Sequence, residues 1–398
     1  MPFQLPEYLA PDFDAPKFRQ APSARTAPAP RDGIAPEGFH AMSIFPEYFK
    51  VGERWLLPEE SRMDCVAVPR GDWIDIVEFR RLKAGEPVFV GRTEDGSEGI
   101  YMHTEAFREE EDGGGDAFAF RSGRSRETAY SRDYDALYEL LRHEREHGFV
   151  VWVLGPAVSF DYDSRNAMAS LIDAGYVHAL LAGNALGTHD LEGAMFGTAL
   201  GQDIYTQEAR QNGHYHHLDL INRARRHGSV EALIREAGLK DGILRAAQGK
   251  GIPIVLAGSI RDDGPLPGVF GDVYEAQDAM RSQLRRATTV IALATQLHTI
   301  ASGNMTPSYT VRDGRVRPVY IYSIDISEFA VNKLRDRGTL SVTPIVTNAQ
   351  DFLVHLKNNL GNLAAPAASV PSGPNGDMDR KTAVQAPKIG RASCRERV

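Results

Sequence analysis

The stretch from about residue 148 to 360 constrains the fold most. Short apolar runs at 150–154, 177–181, 254–256, 290–294 and 319–324 alternate there with stretches of helical periodicity. The runs are apolar on both faces, which suits a strand covered on both sides. Alternating strands and helices build parallel sheets through right-handed crossovers. The expected fold is α/β: a doubly wound, mostly parallel sheet over 148–362. Ligands of such sheets bind beyond the carboxyl ends of the strands, so the residues that follow each run carry the functional information.

Those residues are Gly155-Pro156-Ala157, then Ala182-Gly183-Asn184-Ala185, then a loop from Gly258 through Asp262 and Asp263 to Pro265, then Thr295-Gln296-Leu297-His298, and finally Asp325. Gly183 lets backbone approach a phosphate with no Cβ in the way. The helix opening after Asn184 offers free N–H groups to a pyrophosphate, with His189, Asp190 and Glu192 in its early turns. Asp325, at a strand tip, can accept hydrogen bonds from ribose hydroxyls. The G-x-G-x-x-G fingerprint is absent, so a dinucleotide site here has to be a variant one.

Residues 41–147 follow a different rhythm. Brief runs at 65–68, 73–77 and 87–90 are rich in β-branched and aromatic residues, and Gly71, Gly85 and Asp95-Gly96 separate them. Short strands with close turns predict a small β-rich, barrel-like domain. Glu109 to Gly115 reads as a solvated loop, and 133–146 as a helix with Leu137, Leu140 and Leu141 on one face.

Both ends have tail-like composition. Residues 1–40 hold eight prolines among repeated alanines, and such a segment is expected to be a disordered Pro/Ala-rich tail. Residues 363–398 read the same way. The string IGRASCRERV at 389–398 can be back-translated to the complement of a common sequencing adapter, and is expected to be an artefact. That leaves Cys65 as the one cysteine to interpret. The net charge of −8 is spread without a basic block, which argues against nucleic acid as a main partner. No apolar run is long enough to span a bilayer, and no secretory signal is visible. A cytoplasmic location is expected.

Four blocks carry a resemblance: LLAGNALGTHDLEGAMFGTALG (180–201), GHYHHLDLINRARRHGSVE (213–231), VLAGSIRDDGPLPGVFGDVYEAQDAMR (255–281) and LATQLHTIASGNMTPS (293–308). At these blocks the chain resembles the archaeal-type ornithine cyclodeaminases. The same module forms the C-terminal half of cyanobacterial arginine dihydrolase/ornithine cyclodeaminase. It is also described as a domain related to the linker of plant lysine-ketoglutarate reductase/saccharopine dehydrogenase. The resemblance runs from about Arg62 to Leu360, and does not include the dihydrolase half.

The resemblance implies NAD as cofactor, held by Asn184, Ala185, Asp263, Thr295, Gln296, Leu297, His298, Asp325, Asn348 and Ala349. It implies conversion of L-ornithine to L-proline and ammonia by transient hydride transfer at Cα, imine cyclisation and hydride return. It also implies a homo-oligomer and no metal. The cofactor carries the redox step, and the protein must position Cα and move protons. Asp262 and Asp263 are the candidate acid/base pair, since adjacent carboxylates can raise one pKa. Their plainer reading is turn chemistry before Gly264-Pro265. His298 is either a proton carrier or a cofactor contact. Arg261 is a possible partner for the substrate carboxylate, and Asp64 and Cys65 possible neighbours of the site. His214, His216 and His217 invite a metal reading, since a helix would place His214 and His217, three apart, on one face, but no Cys or third spaced ligand accompanies them.

One departure concerns the substrate. Where the family has Phe-x-Phe-Met and later a Pro, this chain has Phe118-Ala119-Phe120-Arg121 and no Pro up to Thr128. An extra loop, 311–318, also precedes the fifth run. Two other readings therefore stand beside the cyclodeaminase: an NAD-dependent enzyme of the same fold acting on another amino or imino acid, and a non-catalytic NAD-binding regulatory module.

Overall fold

The structure, a computed structural model, describes residues 3–107, 130–262, 264–335 and 340–360. The segment 118–128, the loop 109–115, the stretch 363–398 and Asp263 lie outside the described residues.

Among the described residues, the N-terminal part carries a helical turn α1 (Pro16–Arg19) and seven strands: β1 (Arg25–Pro28), β2 (Glu47–Val51), β3 (Arg54–Leu56), β4 (Cys65–Pro69), β5 (Ile74–Glu78), β6 (Pro87–Val90) and β7 (Ile100–Met102). They form three small antiparallel sheets, β1–β6, β3–β2–β7 and β4–β5. Met42, Phe49, Cys65, Ile76, Phe89 and Ile100 pack into one of its apolar clusters.

The structure corrects the expectation of a disordered tail over 1–40. Strand β1 pairs with β6 from Arg25↔Val90 to Pro28↔Pro87. Aromatic residues at every fifth position find ring partners: Phe3 meets His143 and Tyr320, Tyr8 meets Phe107, and Phe13 stacks on Trp55 next to Phe18. The buried Lys50 ammonium donates to the carbonyls of Phe18, Arg19 and Ala21. Prolines disfavour helices and ladder interiors, but they do not prevent an extended arm from docking by its rings.

After helix α2 (Ser131–His147) comes the α/β part: β8 (Val150–Leu154), α3 (Tyr162–Asp173), β9 (Ala179–Gly183), α4 (Asn184–Phe196), a hairpin β10 (Thr198–Ala199) and β11 (Gln202–Asp203), then α5 (His216–His227), α6 (Val230–Glu236), α7 (Ile243–Lys250) and β12 (Ile254–Ala257). It continues through α8 (Val273–Leu284), β13 (Thr289–Leu293), α9 (Gln296–Met305), a hairpin β14 (Tyr309–Arg312) and β15 (Arg315–Pro318), β16 (Tyr320–Asp325), α10 (Glu328–Arg335), β17 (Val342–Val346) and α11 (Ala349–Leu360). The extra loop 311–318 is therefore largely this second hairpin. The main sheet runs β12–β9–β8–β13–β16–β17 with every pair parallel. In order of chain entry that is 3-2-1-4-5-6, the doubly wound dinucleotide-binding arrangement.

The strands bury both faces. Val150, Trp152 and Leu154 of β8 join the layer of α2, α3, α4, α7 and α11, while Val151 and Val153 join that of α8 and α9. The β-rich part packs on the α8 side through buried charges. Arg62, 2% exposed, pairs with Glu60 and Glu78. Arg281 of α8 reaches Glu78 at 2.6 Å, and Arg285 reaches Glu60 at 2.7 Å. Tyr309 adds a bond from its hydroxyl to the Pro58 carbonyl at 3.0 Å. Among the described residues no helix is long and apolar enough to cross a membrane.

Glu144 ties α2 to the β14–β15 hairpin. Its buried carboxylate accepts from Arg317 at 2.8 Å and from Thr288, with His143 Nδ1 at 2.9 Å. Burial alone would raise this carboxyl, but the Arg317 charge and the hydrogen bonds hold it below its ordinary value of 4.5. The stability it adds is therefore fully present above that value and is lost as pH falls through the lower folded value. Thermal unfolding of wild type and Glu144→Gln between pH 7 and pH 3 should show the gap between them closing with acid. Parallel curves would contradict this assignment.

Candidate cofactor and active site

The chain leaves β8 toward α3 on one face and β13 toward α9 on the other, so a crevice opens between these adjacent strands at the switch point. Gly155, just after β8, donates its N–H to Leu293 O at 2.8 Å. A Cβ on it would lie 1.8 Å from the Ala294 carbonyl oxygen. Ala294 sits in the left-handed region at φ 55° and donates to Ile324 O at 2.9 Å. The turns after β8 and β13 and the end of β16 are thus in direct contact. In place of a glycine fingerprint, Pro156–Ser159 makes a single 3₁₀ turn.

A second close approach bridges β9 and α9. A Cβ on Gly183 would stand 3.0 Å from His298 Cε1, so the imidazole lies against this glycine across the end of β8. Burial pushes the His298 imidazole below its ordinary value, which leaves it neutral at pH 7. Among the described residues, neither Gly183 nor Thr295 caps its following helix with a side chain, so neither N-cap residue competes with an anion for the first N–H groups of α4 and α9. Asn184, 7% exposed, accepts from Leu266 N through Oδ1 at 3.0 Å, which ties the loop after β12 to the start of α4.

The remaining sequence candidates spread along the same rim. Ala185 is half-buried, Gln296 is exposed, and Leu297 is 75% exposed. Asp325 ends β16 and accepts from Ser327 N at 2.9 Å, while its carbonyl accepts from Thr347 N at 3.1 Å. Asn348 caps α11 by accepting from Asp351 N at 2.8 Å, and Ala349 begins that helix. Asp262 closes its own turn by accepting from Ser259 N at 2.8 Å.

Four other candidates fall elsewhere. Cys65 lies in the β-rich core at 3% exposure, and burial pushes its thiol up to about 12, so it is no nucleophile. His214 sits in a 3₁₀ turn ahead of α5 and shares no α-helical face with His217. His216 stacks on Phe196 at 4.7 Å. Among the described residues no group of three or more His, Cys, Asp or Glu could hold a metal ion.

The family description "Arginine dihydrolase ArgZ-like, C-terminal, Rossmann fold" matches residues 136–356. The ornithine cyclodeaminase of Methanopyrus kandleri is 38% identical over 334 residues, 83% of this chain and 77% of that one. The chain belongs to the archaeal-type ornithine cyclodeaminase family. Within the family, the Methanocaldococcus jannaschii ornithine cyclodeaminase is 37% identical over 343 residues, 84% of this chain and 77% of that one. The bifunctional arginine dihydrolase/ornithine cyclodeaminase AgrE of Nostoc is 35% identical, over 85% of this chain but only 47% of its own length. Among solved structures, a conserved LOR/SDH protein from Methanococcus maripaludis superposes with a TM-score of 0.77 at 33% identity, covering 85% of this chain and 98% of that one. The AgrE complex with ornithine and NAD⁺ superposes with a TM-score of 0.55 at 33% identity, covering 88% of this chain and 47% of that one.

Proposed function

We propose that this member of the cyclodeaminase family binds NAD at the switch point and converts L-ornithine to L-proline and ammonia. The observation that carries the reading is the convergence of Gly155 on Ala294 and of Gly183 on His298. Missing side chains there bring the loops together while two helix N-termini stay uncapped, which fits a dinucleotide with an anionic centre. When bound, NAD would supply the transient oxidation at Cα that makes the α-nitrogen displaceable.

The chain's own residues bind and orient. The backbone of Asn184 and Ala185 meets the pyrophosphate, Asp325 accepts from ribose hydroxyls, and Thr295 to His298 form one wall, with Asn348 and Ala349 bordering the rim beside Asp325. Asp262 and Asp263 are proposed to supply acid/base groups from the loop after β12.

Asp325→Ala should weaken NAD⁺ binding by about 1–3 kcal/mol, the scale of a lost charged hydrogen bond, as read by titration calorimetry. Unchanged affinity would move the ribose site elsewhere. The function itself is tested by incubating the purified chain with L-ornithine and NAD⁺ and measuring proline and ammonia. Equal yields of both with no net NADH support it. Turnover of other amino acids only, or NAD⁺ binding without turnover, would overturn it.

A further inference from the structure

Helix α4 carries a histidine–carboxylate pair that the reading above leaves unused. From Asn184 to Gly193 every residue of this helix is buried except Ala185 and His189. Four apart, these two stand on one helix face. His189 therefore opens to the same side as Ala185, one turn deeper. The ring of Phe160, just past the turn that follows β8, meets the imidazole edge-on with centroids 5.5 Å apart. His189 thus lines the wall between that turn and α4.

Its Nδ1 lies 2.9 Å from Glu192 Oε2, and the Glu192 side chain is fully buried. Glu192 also accepts from Thr198 Oγ1 at 2.9 Å, Gly201 N at 3.1 Å and Leu200 N at 3.2 Å. The Thr198 hydroxyl has one proton and directs it to Glu192, so it accepts in turn from His216 Nδ1 at 2.8 Å. Burial alone would raise the Glu192 carboxyl, but the bonds from His189, Gly201 and Thr198 hold it below its ordinary range. An ionised carboxylate only accepts. His189 Nδ1 therefore carries the hydrogen, and Nε2 keeps the lone pair in the neutral ring. The His189 side chain keeps 12% exposure, and a carboxylate that fixes the tautomer of such an imidazole is the arrangement of a general base.

We propose that His189, oriented by Glu192, moves the proton that releases ammonia. This rests on the cyclodeaminase reading. The δ-ammonium sheds one proton to solvent, and its nitrogen adds to Cα, which after the oxidation is an iminium carbon; as the new bond forms, the C=N π pair moves onto the α-nitrogen and leaves it a neutral amine. The ring nitrogen then carries two hydrogens and a positive charge. Nε2 takes one of these protons and hands it to the α-nitrogen. The bond from Cα to the α-nitrogen breaks, its electron pair leaves with ammonia, and the ring-nitrogen lone pair forms the C=N bond. The imidazole ends as it began and exchanges no electrons.

His189→Asn tests this directly. Its amide nitrogen replaces Nδ1 and keeps the bond to Glu192, while Nε2 is gone. With the full chain, NAD⁺ and saturating ornithine, kcat should fall about 10²–10⁴-fold, the usual contribution of general acid–base catalysis. The ornithine KM, NAD⁺ affinity and Tm should stay close to wild type. In His189→Ala, added imidazole should restore part of the lost kcat. A His189→Asn enzyme with wild-type kcat, a loss carried by KM or NAD⁺ affinity alone, or a folded His189→Ala enzyme deaf to imidazole would each overturn the proposal. A wild-type protein that makes no proline would overturn the underlying reading instead.

Discussion

Gly155→Ala is expected to cost upwards of about 3 kcal/mol, the upper part of the range for overpacking, and to abolish NAD⁺ binding. The backbone of Gly155 is extended, at φ −85° and ψ 164°, so any residue could adopt it and no dihedral strain is involved. The obstacle is space. The new methyl would lie 1.8 Å from Ala294 O and 2.5 Å from Ala294 C. Backbone cannot swing aside like a flexible side chain, because Gly155 N holds Leu293 O at 2.8 Å and Ala294 N holds Ile324 O at 2.9 Å. Relief requires parting β8 from β13, which are hydrogen-bonded neighbours at the floor of the crevice. Chemical denaturation and calorimetric titration with NAD⁺ measure the two losses. A variant with wild-type stability and affinity would show that the crevice floor yields.

Asp190→Ala should destabilise the fold by about 3–5 kcal/mol, the usual effect of stranding one member of a buried ion pair. Asp190 is fully buried and Arg165 is 1% exposed, with Nε 2.7 Å from Oδ1. The same carboxylate accepts from Ile243 N at 2.9 Å and Leu244 N at 2.8 Å, capping the first turn of α7. Alanine would leave Arg165 with the residue-190 carbonyl at 3.1 Å and, as its charged partner, the exposed Asp241 at 2.8 Å, and would orphan two backbone donors. Arg165→Met combined with Asp190→Leu should recover part of the loss, because apolar pairs of similar volume replace buried ion pairs at small cost. If the double variant is as unstable as Asp190→Ala, the cap on α7 outweighs the ion pair.

Much of the sheet was legible because burial on both faces forces apolar runs. The five runs coincide with β8, β9, β12, β13 and β16 to within two residues. Strand β17 was not read, since Thr343 and Pro344 interrupt it. It lies at the edge of the sheet, where proline is tolerated. Composition misread residues 1–40: the five-residue spacing of Phe3, Tyr8, Phe13 and Phe18 was the stronger signal, because each ring has a docking partner.

The rim candidates could be found from strand ends alone, as a matter of sheet topology. The reason for Gly155 could not, because its partner Ala294 is 139 positions away. The environment of His189 was likewise hidden. The i, i+3 spacing to Glu192 is visible in sequence, but the hairpin that folds Thr198, Leu200 and Gly201 back onto that carboxylate is a tertiary event.

The most direct test is a crystal structure of this chain with NAD⁺. The dinucleotide should lie across the carboxyl ends of β9, β8, β13 and β16, with its pyrophosphate over Gly183 to Ala185 and a ribose hydroxyl bonded to Asp325. Density for the cofactor elsewhere on the molecule, with this rim empty, would contradict the account.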